Sequence, residues 1–244
     1  MDDLTDRFRR ELIARGGEIV ETLGGDTYRV KTSAGDAIVS LENLRRDVAR
    51  DGNLDAIADF VRAFGKAPRG LPDWPQARAG LRWALESLEV DFGSAVHQPL
   101  TRQLAAVLCY TDEHEELVTF LPPAKLSGWQ IEVDAARQFA LANMDELLAA
   151  TEIEVDLVRG SPLGMLSTHS IFKASLLLAP SLKQRVFETL GWPIFAVAPC
   201  RDFAYLFGDK DLIGPMASTG VREHGHSGYP LTTEVLELSD EGLE

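Results

Sequence analysis

The sequence predicts an α+β fold. Its sheets should be mainly antiparallel and packed with helices, with a small N-terminal α+β unit and a larger C-terminal one. Three observations predict this. Short extended runs near the N-terminus, EIVETL, YRVKT and AIVSL, are separated by Gly-containing turns in the manner of a β-meander. Later strand-length apolar runs, near residues 104–110, 116–121, 153–158 and 193–199, alternate irregularly with helical patterns, unlike the regular βαβ repeat of a parallel sheet. Finally, residues 191–207, GWPIFAVAPCRDFAYLF, read as a buried strand, a polar turn at 199–202 and a second apolar run, with helical patterns on both sides.

Taken in order, residues 3–15 place Leu4, Phe8, Leu12 and Ile13 on one stripe, which predicts an amphipathic helix stopped by Gly16-Gly17. After the meander, Asn43 begins a polar helical stretch, and Asn53 is placed to cap LDAIADFVRAF. These residues form the N-terminal unit, 1–65. The Pro- and Gly-rich stretch 65–75 reads as a linker or as a connection packed by Trp74, so that 75–244 is a second domain or the continuation of one. ARAGLRWALESLEV fits helix or strand equally. LAAVLCY and ELVTFL, separated by TDEHE, make a hairpin. Residues 131–149 form the clearest helix, and Asn143 sits inside its apolar stripe, where a polar side chain is expected to bond a neighbouring backbone group. IEVDLV reads as a strand, while MLSTHSIFKASLLL is ambiguous. SLKQRVFETL is a helix closed by Gly191. The run 193–199 should bury Trp192, Phe195 and Val197 against the helix 131–149 or the helix 181–190. A helix spans 213–222, HGHSGYP is a loop, TTEVLEL is a last strand, and the acidic tail SDEGLE is expected to fray.

Composition narrows the class. In 244 residues, 45% are hydrophobic and 25% charged, enough for a sizeable core without disulfides or metals. The net charge of −14 disfavours nucleic acid and anionic membrane surfaces as partners and leaves a protein partner open. Arg45, Arg46 and Arg50 cluster among acids and read as a solvated helix face. Two cysteines, Cys109 and Cys200, make no disulfide framework, and no window approaches the roughly 18 apolar residues of a membrane span, so a cytoplasmic location is expected.

Three polar clusters are candidates for chemistry. Cys200, Arg201 and Asp202 follow a buried strand directly. Cys200 could act as a nucleophile beside a histidine, and Arg201 could hold an anion; the bland alternative is a packed thiol and a structural ion pair. Because adjacent strand residues face opposite ways, Arg201 should reach a distant acid or a row of carbonyls rather than Asp202. His224 and His226, two apart in an extended loop, would face the same way and could share a metal with His169, Cys200 or Asp202, although no complete metal motif is present and none is expected to bind. Thr168, His169, Ser170 and Ser175 hint at a hydroxyl–imidazole pair without a nucleophile elbow. No cofactor motif is present.

From about Ser127 onward the chain resembles an uncharacterised bacterial family catalogued as domain of unknown function 1444. The resemblance lies in Ala135-Ala136 and Ala142-Asn143 of the long helix, in the Ala174–Leu178 run, and in the Pro199-Cys200-Arg201-Asp202 turn. It implies a cytoplasmic bacterial protein and transfers no catalytic residue. The expectation from residues and resemblance together is a non-enzymatic binding or regulatory protein. The rival is a small hydrolase or metal-dependent enzyme built on the Cys200–Asp202 turn and the histidine loop.

Overall fold

The computed structural model describes residues 3–24, 26–32, 35–41, 44–45, 48–49, 52–66, 71–113, 115, 118–227 and 229–244. The chain is α+β and its sheets are antiparallel. It divides into two compact units, Met1–Pro72 with His226–Gly228, and Asp73–Gly225 with Tyr229–Glu244. Of the stretches read from sequence, the start of the helix at Asn43, the cations Arg46 and Arg50, residues 67–70 of the linker and residues 116–117 of the hairpin lie outside the described residues.

In the first unit, helix α1 (Asp3–Ala14) buries Leu4, Phe8 and Leu12 of the predicted stripe, while Ile13, read as part of it, is 60% exposed. Strands β1 (Glu18–Gly24), β2 (Thr27–Thr32) and β3 (Gly35–Ser40) form a three-stranded meander. Helix α2 (Asp55–Lys66) closes the core with Ile57 and Val61. Asn53 caps it as expected, its Oδ1 accepting from Asp55 N at 3.0 Å. Arg45 is not a solvated charge: its Nε and Nη2 fork onto the Asp26 carboxylate at 2.6 and 2.9 Å.

The second unit begins with a short helix α3 (Trp74–Ala77) and holds two sheets. In the smaller one, β4 (Leu81–Ser87) pairs with β6 (Leu104–Thr111); along the far side of β6 lie β5 (His97–Pro99) and β7 (Val118–Phe120) in tandem. The undecided segment ARAGLRWALESLEV is therefore mainly strand. After a short helix α4 (Pro123–Gly128), the long helix α5 (Val133–Ala149) buries Ala136, Ala140, Met144 and Leu148. Asn143 Nδ2 donates to Arg78 O at 2.8 Å and Leu81 O at 3.0 Å, so it satisfies backbone carbonyls at the start of β4.

The larger sheet has the order β13-β12-β10-β11-β9-β8. It comprises β8 (Glu152–Val158), β9 (Ser161–Ser167), β10 (Ile194–Cys200), β11 (Phe203–Phe207), β12 (Val235–Ser239) and β13 (Gly242–Leu243). Helix α6 (Leu182–Leu190) precedes β10 and ends at Gly191, whose φ of 81° is a left-handed conformation open to glycine. Helix α7 (Ile213–His226) packs on the other side. Phe195 and Val197 are buried as expected, but against Leu212 and Met216 on the α7 side rather than against α5 or α6. The acidic tail does not fray: Gly242, at φ 119°, turns the chain so that Glu237 and Glu244 exchange backbone hydrogen bonds of 2.9 Å each.

Candidate functional site

All seven residues of β10 are buried, which leaves its first polar neighbours to be anchored at its end. The turn is held by backbone bonds from Ala174 N to Arg201 O (3.0 Å), Arg201 N to Tyr229 O (3.3 Å) and Leu231 N to Pro199 O (2.9 Å). Arg201 and Asp202 form the turn after β10 rather than strand, so the alternation argued from sequence does not apply, yet Arg201 still reaches a distant acid. Its Nη2 donates to both carboxylate oxygens of Glu86 in β4, at 2.7 Å each, and its guanidinium lies 5.0 Å from the Tyr229 ring centre. Asp202 is exposed. The pair ties the turn of the larger sheet to a strand of the smaller one.

Its electrostatics are those of a structural clamp. Glu86 is 3% exposed, and burial pushes its carboxyl above the usual range, with the Arg201 charge and hydrogen bonds pulling back only in part. Burial likewise lowers Arg201, but the Glu86 charge and hydrogen bonds outweigh it and the guanidinium is held above its ordinary value. The cavity beside the pair, lined by Ile171, Phe172 and Ser175 among others, is about 10 Å³. That is close to the space of one water, far below what a substrate needs.

The remaining candidates are placed apart from such a centre. Cys200 is buried at 3% exposure, and Cys109 is buried with its thiol pushed upward, first by loss of solvent. His169 is exposed. Around it, Thr168 Oγ1 accepts from Ser170 N and Ser170 Oγ from Phe172 N, two successive hydroxyl-backbone turns. Ser175 Oγ accepts from Leu85 N at 2.9 Å. The reading of His224 and His226 as neighbours on an extended loop is corrected: both belong to α7, where residues two apart point about 200° from each other. Among the described residues, no group of three or more His, Cys, Asp or Glu could hold a metal ion.

Two features escaped the sequence. One is Glu86, a lone acid inside the apolar run WALES, which could have been noticed as a charge within a buried segment. The other is a groove of about 360 Å³ lined by Leu177, Leu182, Leu238, Leu243, Lys183 and Trp192, among others. Trp192 is half-buried at this groove rather than in the core, a correction to the expectation above. Its Nε1 donates to Asp240 Oδ1 at 3.0 Å, while Lys183 Nζ donates to the same oxygen at 2.6 Å and stands 5.6 Å from the indole ring. The Lys183 hydrogen bond, followed by the indole N–H, holds Asp240 below the usual carboxylate range. The indole N–H needed a polar partner near solvent, and Asp240 in the terminal hairpin supplies it.

No family model, curated protein or solved structure matches this chain. Among the described residues no helix is long and apolar enough to cross a membrane.

Proposed function

We propose that the chain is a non-enzymatic binding protein that takes an amphipathic ligand, or a partner's apolar side chain, into the groove at Trp192. The groove carries the proposal. Its volume falls in the range of small-molecule pockets, its walls are leucines, and its polar groups converge at one place, Lys183, Asp240 and the indole N–H. The polar turn that sequence singled out supports the same reading, because Arg201 is spent on Glu86 and the adjoining space is water-sized. A cytoplasmic location and membership of the family of domain of unknown function 1444 belong to this proposal. The location is supported by two buried, unbridged thiols, the membership by the sequence motifs around Asn143 and Arg201 alone.

The experiment is a titration with decanoate and with 1-anilinonaphthalene-8-sulfonate, followed through the indole N–H resonances. The chain has four tryptophans, so Trp192 is assigned by its loss in Trp192→Phe. A saturable shift led by Trp192, weakened in Leu243→Glu, is expected. Absence of saturable binding, or a response at Trp74, Trp83 or Trp129 without Trp192, refutes the proposal.

A further inference from the structure

Strand β8, EIEVDLV, ends the larger sheet, with β9 on one side and, among the described residues, no strand on the other. About half of its N–H and C=O groups therefore point outward without a ladder partner. β8 has no lysine, proline or bulge at this edge; its guards are the carboxylates of Glu152, Glu154 and Asp156, which repel an acidic strand but not a basic one, and its pairing with β9 is regular over all seven residues.

Its two faces differ. Ile153, Val155 and Leu157 alternate with Glu152, Glu154 and Asp156. Val155 is 44% and Leu157 74% exposed, unusual for large apolar residues on a sheet. Beside the apolar face is a hollow of about 300 Å³ lined by Ile153, Val155, Val186 and Leu190, with Arg185 and Thr189. On this face Gly164, the residue of β9 opposite Val155, lets the side chains of Leu190 and Ile153 approach the sheet. Arg185 is occupied: its Nη2 donates to Thr151 O at 2.9 Å and its Nη1 to Ala149 O at 3.4 Å.

We propose that the free edge of β8 binds an extended, basic segment of a partner protein as an additional antiparallel strand. The strand's apolar side chains would cover Val155 and enter the hollow, and its alternate lysines or arginines would face Glu154 and Asp156. Charge selects this occupant over a second copy of the chain. A two-fold β8–β8 pairing centred on Val155 sets Glu154 directly against Asp156 twice, a like-charge cross-strand contact that destabilises the pair. The overall charge of −14 adds to that repulsion and favours a cationic partner. The mode is strand addition, with affinity from main-chain hydrogen bonds and selectivity from alternate side chains. It does not depend on the groove at Trp192.

The test uses the full chain and the peptide acetyl-KVKVKVK-amide at low salt, with amide hydrogen exchange as readout. Saturable binding that slows exchange within Glu152–Val158 is expected. Glu154→Lys/Asp156→Lys, at two exposed positions, should weaken it by at least about tenfold, from two reversed cross-strand contacts plus lost long-range attraction, with the melting temperature unchanged. The same peptide N-methylated at successive residues keeps its charge but has no N–H left on either edge to extend the sheet, and should fail to bind. Equal affinity of the N-methylated peptide overturns the proposal, since the contact would then be surface adsorption. Protection appearing elsewhere, unchanged affinity of the reversed variant, or protection of β8 by self-association without peptide overturns it as well.

Discussion

Removing the guanidinium of Arg201 should expose how the clamp between the two sheets works. Arg201→Met leaves Glu86, 3% exposed, with a buried charge and no cation. Breaking such a pair on one side costs about 3–5 kcal/mol, and since the Arg201 side chain is itself 26% exposed, the lower end applies. Arg201→Lys is subtler. A single nitrogen, Nη2, makes both contacts, so lysine keeps the right charge but stops one bond short, about 1.3 Å. The two 2.7 Å contacts become separations of about 4 Å, and roughly 1–2 kcal/mol should be lost. Urea denaturation measures both. The pH dependence supplies a sign. In Arg201→Met nothing opposes burial, so the folded Glu86 carboxyl is raised further above its ordinary 4.5. A raised folded value means stability that is present below the unfolded value and is lost as pH rises. The deficit of Arg201→Met relative to the parent should therefore shrink as pH falls toward about 4.5 and widen toward neutrality. Glu86→Leu/Arg201→Met should recover most of it. Parent-like melting of Arg201→Lys together with a loss below about 1 kcal/mol for Arg201→Met, or a deficit that grows on acidification, would refute the clamp.

Other variants probe separate links. Asn143→Ala strips the donor from Arg78 O and Leu81 O and should cost about 1–3 kcal/mol in chemical denaturation, with Asn143→Asp worse because it sets a carboxylate against carbonyl oxygens. Phe195→Ala removes a ring 5.8 Å from that of Phe207 and should cost roughly 3–5 kcal/mol; a loss under about 1 kcal/mol would mean that β10 is peripheral. In the first unit, Asn53→Ala should lose about 1 kcal/mol, read from the unfolding transition of that unit, by leaving Asp55 N uncapped.

The legible elements were those with a period and a stop signal. Helix α1 shows its stripe, α2 its Asn53 cap and α6 its terminal Gly191, and each is present within a residue or two of its predicted bounds. Strand β4 was illegible because six of its seven residues are buried, and a strand buried on both faces loses the alternation that separates it from a helix. HGHSG read as a loop because glycine weakens a helix locally, yet α7 continues through Gly225 to His226. The terminal hairpin was hidden by its charge. The Arg201 clamp was legible as chemistry, a cation at a core edge that needs a distant partner. The identity of that partner, 115 residues away in Glu86, is a fact of topology that no local pattern carries.

The polar side chains of the second unit thus fall into two groups with different measurable consequences. Arg201, Glu86, Asn143 and Ser175 hold buried strands and turns, so altering them should change unfolding and leave peptide capture at β8 untouched wherever the chain stays folded. Glu154 and Asp156 are exposed, with no hydrogen bond or ion pair among the described residues, so reversing them should change capture and leave unfolding untouched. Carboxylates kept exposed on a strand edge contribute little to folding, since surface charges contribute well under 1 kcal/mol each. Their physical effect is instead to repel another acidic edge, in this chain or its copies, and to admit a basic one. A variant pair that crossed these groups, with Arg201→Lys weakening capture as much as Glu154→Lys/Asp156→Lys does, would mean that the edge and the clamp are one coupled element rather than two.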